Sequence, residues 1–251
     1  MNPGTQRAPD SNFALIERLL HSHSEDDLRA VASNPHLTED LAKAFLARRD
    51  LPGTALQDLS KNANAMKNRA VIVGIVSHPR TPRFVSLPVA RHLFPFELMT
   101  VAMQPAVPAD VKMAIEHILV DKVEQLSLGE RITLAKRGPT RVAEALLRDK
   151  ELRVVETALL NPYLVEACII RTLMQDEIDI RFVEMIARHP KWSLRTDVRC
   201  ALLRNANTPM AVALQLAHTL PADVARDALF HSNLPQSVKT YLMAEIQHRA
   251  R

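Results

Sequence analysis

The sequence predicts an all-α chain assembled from helical repeats, and three observations carry that expectation. Prolines outnumber glycines sixteen to five, which suits many short helices bounded by proline rather than hairpins turned on glycine. Apolar residues recur at the i, i+4, i+8 spacing of a buried helix face, as in Val85, Val89 and Leu93. A set of turn landmarks in the first half also returns in the second at one constant interval, the signature of an internal repeat.

Taken in chain order, residues 11–22 read as a capping helix behind a polar tail. Asn34-Pro35, Asn62-Ala63, His78-Pro79 and Val107-Pro108 then punctuate successive helices, and they reappear as Asn161-Pro162, His189-Pro190, Asn205-Ala206 and Leu234-Pro235. Each pair lies 127 positions apart: 161 against 34, 189 against 62, 205 against 78, 234 against 107. Thr81-Pro82 meets Thr208-Pro209 in this register, and each threonine reads as an N-cap with proline at the first helical position. Beyond them the stripe Val85, Val89, Leu93 meets Val212, Leu216, Leu220. Pro88 stands opposite Gln215, which predicts a kink in the first copy alone. A one-residue slip is expected where Pro95 meets Pro221. Between the copies, Ser127-Leu128-Gly129-Glu130 reads as a capping box opening a helix that stops at Gly138-Pro139, and a second helix runs from Thr140 to Asp149. The organisation that follows is a tail and capping helix (1–27), a first copy (28–119), a connecting helical hairpin (120–154) and a second copy with the C-terminal end (155–251).

Composition excludes several classes of function. The five glycines, Gly4, Gly53, Gly74, Gly129 and Gly138, form no cluster, so a P-loop, a dinucleotide fingerprint or a nucleophile elbow has no raw material. The longest apolar run, Val71 to Val76, is far too short to cross a bilayer. Cys168 and Cys200 both fall in apolar helical stretches, and the first ten residues are polar, which predicts a reduced, cytoplasmic protein with no membrane partner. The net charge of +4 allows an anionic partner without demanding one.

Ala32-Ser33-Asn34-Pro35-His36-Leu37 and Leu159-Leu160-Asn161-Pro162-Tyr163-Leu164 share a pattern: a helix ending in Asn-Pro, a short turn, then an amphipathic helix. This pattern resembles HEAT-like repeats and the bacterial leucine-rich repeat variant. The resemblance implies a curved α-solenoid that binds proteins, and some bacterial HEAT-like members are DNA glycosylases. The leucine-rich variant is known with an N-terminal iron–sulfur cluster held by cysteines. Here no cysteine precedes Cys168, so that cofactor is not expected.

Among candidate sites, His21 and His23 are the tightest histidine pair but lack a third ligand at metal-binding spacing. His78 and His189 occupy turn positions and are expected to bond a helix end. Trp192 beside Asp197 and Arg199 offers a sparse version of a base-excision kit; the competing expectation is a packed or partner-facing indole. Charge gives the strongest surface signal. Arg188, Lys191, Arg195, Arg199 and Arg204 against Asp197 leave +4 between positions 188 and 204, and Lys61, Lys67 and Arg69 leave +3 between 61 and 77. If the helix reaches back far enough, Lys191, Arg195 and Arg199 form one stripe. The partner-binding candidates are therefore Lys67, Arg69, Arg188, Lys191, Trp192, Arg195, Arg199 and Arg204, with no catalytic, cofactor or metal residue assigned. The expected function is a noncatalytic scaffold for another protein, engaged through an acidic surface. The alternatives are a nucleic-acid-binding protein and a HEAT-like glycosylase.

Overall fold

The computed structural model describes residues 8–175 and 178–249, with side chains from residue 14 onward. The chain is 70% helix, and no strand occurs among the described residues. It divides into two compact units, the first ending at Gln125 and the second beginning at Leu126, so the boundary falls within the connecting segment expected at 120–154. The tail before residue 8 lies outside the described residues.

Unit 1 contains α1 (Ala8–Leu20), α2 (Glu25–Ser33), α3 (Glu39–Ala47), α4 (Gly53–Lys61), α5 (Arg69–Ser77), α6 (Arg83–Ala90), α7 (Pro95–Met103) and α8 (Ala109–Lys122), with 3-10 turns at Ala65–Lys67 and Val123–Gln125. Each helix packs on the next but one: α2 on α4, α4 on α6 and α6 on α8 form one layer, and α1 on α3, α3 on α5 and α5 on α7 form the other. Between the layers lie Leu28, Val31, Phe45, Leu56, Leu59 and Ile75, all buried. Burying a leucine or isoleucine this fully is worth about 1.5–3 kcal/mol each, which is what short helices require, because nine residues are too few to be stable alone.

Unit 2 contains α9 (Leu128–Arg137), α10 (Thr140–Leu146), α11 (Leu152–Leu159), α12 (Glu166–Leu173), α13 (Ile180–Arg188), α14 (Thr196–Arg204), α15 (Met210–Thr219), α16 (Ala222–Phe230) and α17 (Gln236–Arg249). The capping box that opens α9 is present: the Ser127 N–H donates to Glu130 at 2.9 Å, and the Ser127 hydroxyl accepts from the Glu130 N–H at 3.4 Å. From α2 against α11 to α8 against α17, all seven helix starts stand 127 residues apart. α4 and α13, α5 and α14, α7 and α16, and α8 and α17 match at both ends.

Four of the turn landmarks, Asn62, His78, Asn161 and Asn205, are buried side chains that bond carbonyls at the end of an earlier helix. Asn62 donates its side-chain N–H bonds to the carbonyls of Ala32 and Asn34 at 2.9 and 2.8 Å. Its own Oδ1 accepts from the N–H groups of Asn64 and Ala65. Asn161 reaches the carbonyls of Ala135 and Gly138 in the same way, and Asn205 reaches that of Leu173. His78 does it with an imidazole: Nε2 lies 2.7 Å from the Arg48 carbonyl while Nδ1 accepts from the Arg80 N–H. These residues satisfy helix-end carbonyls that no intrahelical N–H can reach. The last helix of each unit ends on a cation with the same job. Lys122 donates to the carbonyls of Arg91 and Leu93; Arg249, 127 residues on, donates to those of Ala217, His218 and Leu220.

Several expectations need correction. Thr81 and Thr208 do not cap the helix that follows; their hydroxyls donate backwards to the carbonyls of Ile75 and Leu202, at 2.6 and 2.5 Å, and Pro82 and Pro209 take the N-cap positions. Val85, Val89, Leu93, Leu216 and Leu220 are buried as a stripe, but Val212 is only half-buried. Pro88 lies inside α6, which ends at Ala90 and is two residues shorter than α15. No slip occurs at Pro95 and Pro221: Pro95 is the first residue of α7 and Pro221 is the N-cap of α16, so the helices keep the common interval. The helix begun at Thr140 ends at Leu146.

Candidate functional site

The exposed side of α5 carries Ala70, Val73, Gly74 and Ser77, at helical spacings that put them on one face. All four are small, and between the neighbouring helices they floor an open groove of about 490 Å³. Leu46, Ala47 and Arg49 border it from the α3 side, Glu97, Gln104 and Ala106 from the α7 side, and His78 and Pro79 close one end. Gly74 permits this packing: a Cβ there would stand 2.8 Å from the Leu46 side chain.

The groove's charges are unequal in freedom. Arg69 is held on every side, with its guanidinium donating to both Glu97 oxygens and to the His92 carbonyl while lying 4.2 Å over the Phe94 ring. Burial pushes the Glu97 carboxyl up, but the Arg69 guanidinium and the Phe94 N–H outweigh it and hold the group below its usual range. Burial likewise lowers the His78 imidazole against the pull of its bond to the Arg48 carbonyl, so the ring is neutral at pH 7. The Ser77 hydroxyl is itself buried and has no partner among the described residues. Arg49 is exposed and, among the described residues, carries neither a hydrogen bond nor an ion pair.

Part of the matching set in unit 2, 127 residues on, borders a smaller cavity. Leu173, Met174, Arg204, Asn205, Ala206 and Asn233 border a cavity of only about 50 Å³; they correspond to Leu46, Ala47, Ser77, His78, Pro79 and Ala106. Arg204 is the main exchange among them. Standing where unit 1 has Ser77, it extends to Asp227 on α16, 3.0 Å from its guanidinium. The residue matching Asp227 in unit 1 is Thr100.

The sequence-derived candidates do not gather into one patch. Trp192 is in the core at 2% exposure, donating its indole N–H to the Leu159 carbonyl at 3.0 Å. It therefore neither faces a partner nor stacks on a base, which corrects its assignment as a binding residue. Lys191, Arg195 and Arg199 form no helical stripe, because α14 starts at Thr196, Arg195 is its extended N-cap, and the segment before it is a turn. Lys191 lies 4.0 Å over the Trp192 ring, Arg199 bonds Thr219, Arg204 pairs with Asp227 and Arg69 with Glu97. Lys67 reaches Asn64 at 3.1 Å. Only Arg188 and Arg195 of the set are exposed with no partner among the described residues. His23 stands 3.4 Å from Asp50, and no group of three metal-ligating side chains occurs among the described residues. No described helix is long and apolar enough to cross a membrane.

Sequence reasoning missed the groove and Arg49. The available signal was the change from Ser77 to Arg204 at matched positions, which breaks an otherwise similar pattern. Compared with known protein families, characterised proteins and solved structures, the chain shows no match.

Proposed function

We propose that the chain is a noncatalytic helical-repeat scaffold of the cytoplasm, and that it takes up a segment of another protein in the unit 1 groove. On this reading its multi-helix unit has been duplicated in tandem and stacks as an α-solenoid of HEAT-like kind. Supporting the duplication are seven helix starts at one interval and the paired cationic caps, Lys122 and Arg249. Supporting the repeat architecture is the layered packing within unit 1, in which each helix contacts the next but one. The observation that carries the binding site is the open groove of about 490 Å³ floored by small residues of α5, with Ser77 and Thr100 where unit 2 has the paired Arg204 and Asp227. Concave, partly apolar places with a few polar groups are where proteins take ligands.

The nucleic-acid alternative draws on Lys67, Arg188, Lys191, Arg195 and Arg199, which no described carboxylate pairs, but Lys191, Arg195 and Arg199 form no helical stripe that could follow a phosphate backbone. The deciding experiment fills the groove from within. Ser77→Arg with Thr100→Asp imports unit 2's own plug and its anchor. Proteins captured by the wild-type chain should be lost from this variant, while a far-ultraviolet spectrum and melting curve show that it still folds. Capture that ignores the plug would move the binding site elsewhere, and salt-sensitive retention of duplex DNA would favour the alternative.

A further inference from the structure

At matched positions unit 2 carries a paired, long cationic side chain that unit 1 lacks. Arg204 of α14 reaches α16, where its guanidinium is held by Asp227 at 3.0 Å. Unit 1 lacks both ends of that arrangement, with Ser77 at the root and Thr100 at the tip. The open groove accepts a long side chain, but no described residue lining it is free to hold a cation. The only carboxylate among the described groove residues, Glu97, is already taken by Arg69, and the two charges cancel. His78 adds none, since its buried ring accepts the Arg80 N–H through Nδ1 and is neutral. Arg49 is then the charge that sets the sign of the groove, and it has no partner among the described residues. At the matching position the sequence has Asp176, of opposite charge.

We infer that the segment taken up by the unit 1 groove carries an acidic side chain, whose stem covers Gly74 and Ser77 and whose carboxylate is received by Arg49. The inference rests on the reading of this groove as a protein-binding site. Floored by Ala70 and Gly74, the groove admits the stem without displacing a large residue. A guanidinium fork matches a carboxylate with two parallel bonds, which gives orientation as well as attraction. A lysine or arginine at that place in the segment would meet Arg49 as a like charge.

The test uses the full chain, immobilised at low ionic strength, to select from a display library of random linear peptides. The selected peptides should share a Glu or Asp at one position. Their affinity should fall about tenfold or more on Arg49→Glu, a step of roughly 1.4 kcal/mol. Selection repeated on that variant should favour Lys or Arg instead. The Ser77→Arg, Thr100→Asp variant should retain none of the peptides; should it fail to fold, Arg49→Glu at an exposed position still decides. Peptides excluded by the plug but indifferent to Arg49→Glu would overturn the acidic occupant and leave the groove standing. Peptides indifferent to both, or no enriched peptide at all, would overturn the groove together with its occupant. Duplex DNA retained by the wild-type chain and lost on Arg49→Glu would put a nucleic acid in the peptide's place and equally overturn the inference.

Discussion

At position 77 unit 1 has serine, and 127 residues later unit 2 has arginine; the first borders an open groove, and the second pairs with Asp227 on the neighbouring helix. A second exchange lies deeper. Asn62 of unit 1 satisfies the Ala32 carbonyl at 2.9 Å. The matching carbonyl in unit 2 belongs to Leu159, and the matching side chain, His189, does not reach it; the indole of Trp192 donates to it at 3.0 Å instead. Where Trp192 stands, unit 1 has the small Ala65. The packing changes with the donor: α2 lies closely on α4, whereas α11 and α13 have little backbone contact. The two exchanges teach different things. In the interior the demand is fixed, because a helix-end carbonyl must be satisfied, and only the group meeting it varies. On the groove face no such demand exists, so the residues there are free to differ, and their difference carries the functional reading.

The largest test of the interior half of this comparison is Trp192→Ala. It removes a fully buried aromatic wedge and an N–H donor, and should cost about 3–5 kcal/mol in chemical denaturation of the full chain. Ala65→Trp in unit 1 should also destabilise, by about 1–3 kcal/mol, because there the closely packed α2 and α4 leave no room for the ring. A neutral result for Ala65→Trp would show that α2 and α4 part as easily as α11 and α13 do. Asn62→Ala comes next. It strips two carbonyls and two N–H groups of one partner each, and should cost about 1–3 kcal/mol.

The surface half is tested by opening unit 2. Arg204→Ser with Asp227→Thr removes an exposed ion pair of the kind worth about 0–1 kcal/mol, and frees a buried Arg204 Nε–H that has no partner among the described residues. Stability should therefore change by less than about 1 kcal/mol in a denaturant titration. A loss well beyond that would mean that Arg204 holds unit 2 together, so that its position differs from Ser77 for structural reasons.

The contrast between interior and surface also marks what could be read from the sequence. Helix boundaries were legible because proline, asparagine and glycine act locally: the Ser127 capping box and the matched ends of α4 and α13 follow from a few adjacent residues. His78 and His189 were legible as turn residues, and both do bond backbone groups. Reach was not legible. Thr81 could have capped forwards or bonded backwards, and it bonds Ile75; nothing local decides between the two. Charge counting failed for the same reason. It registers Arg69, Arg199 and Arg204 as cations without registering Glu97, Thr219 and Asp227, which lie twenty or more residues away in the chain and occupy them. A lone tryptophan among basic residues reads as a surface feature until the Leu159 carbonyl, 33 residues earlier, is seen to need its N–H.

The smallest expected effect concerns the exchanged amide and imidazole ties. At one landmark unit 1 has His78 where unit 2 has Asn205; at the other it has Asn62 where unit 2 has His189. Burial lowers the His78 imidazole, opposed by its bond to the Arg48 carbonyl and nudged further by the Arg80 cation and the Asp50 carboxylate in opposite directions. Burial and the Lys191 charge lower His189. For each group the unfolded chain binds its proton near pH 6.5 while the folded chain still refuses it. Stability should therefore be fully present above about pH 6.5, fall as the pH drops below it, and level off once the folded-state value is passed. The geometry at His78 gives the cause. Its Nδ1 accepts the Arg80 N–H, and a proton placed on that nitrogen would set donor against donor. Asparagine has no such conflict, and at Asn205 its Oδ1 already accepts the matching N–H, that of Asn207. His78→Asn should thus keep stability at pH 7.5 and reduce the decline between pH 6.5 and 5, and adding His189→Asn should reduce it further. Equal slopes for wild type and both variants, measured by denaturant titration across that range, would show that the imidazoles are protonated in place without loss of their bonds.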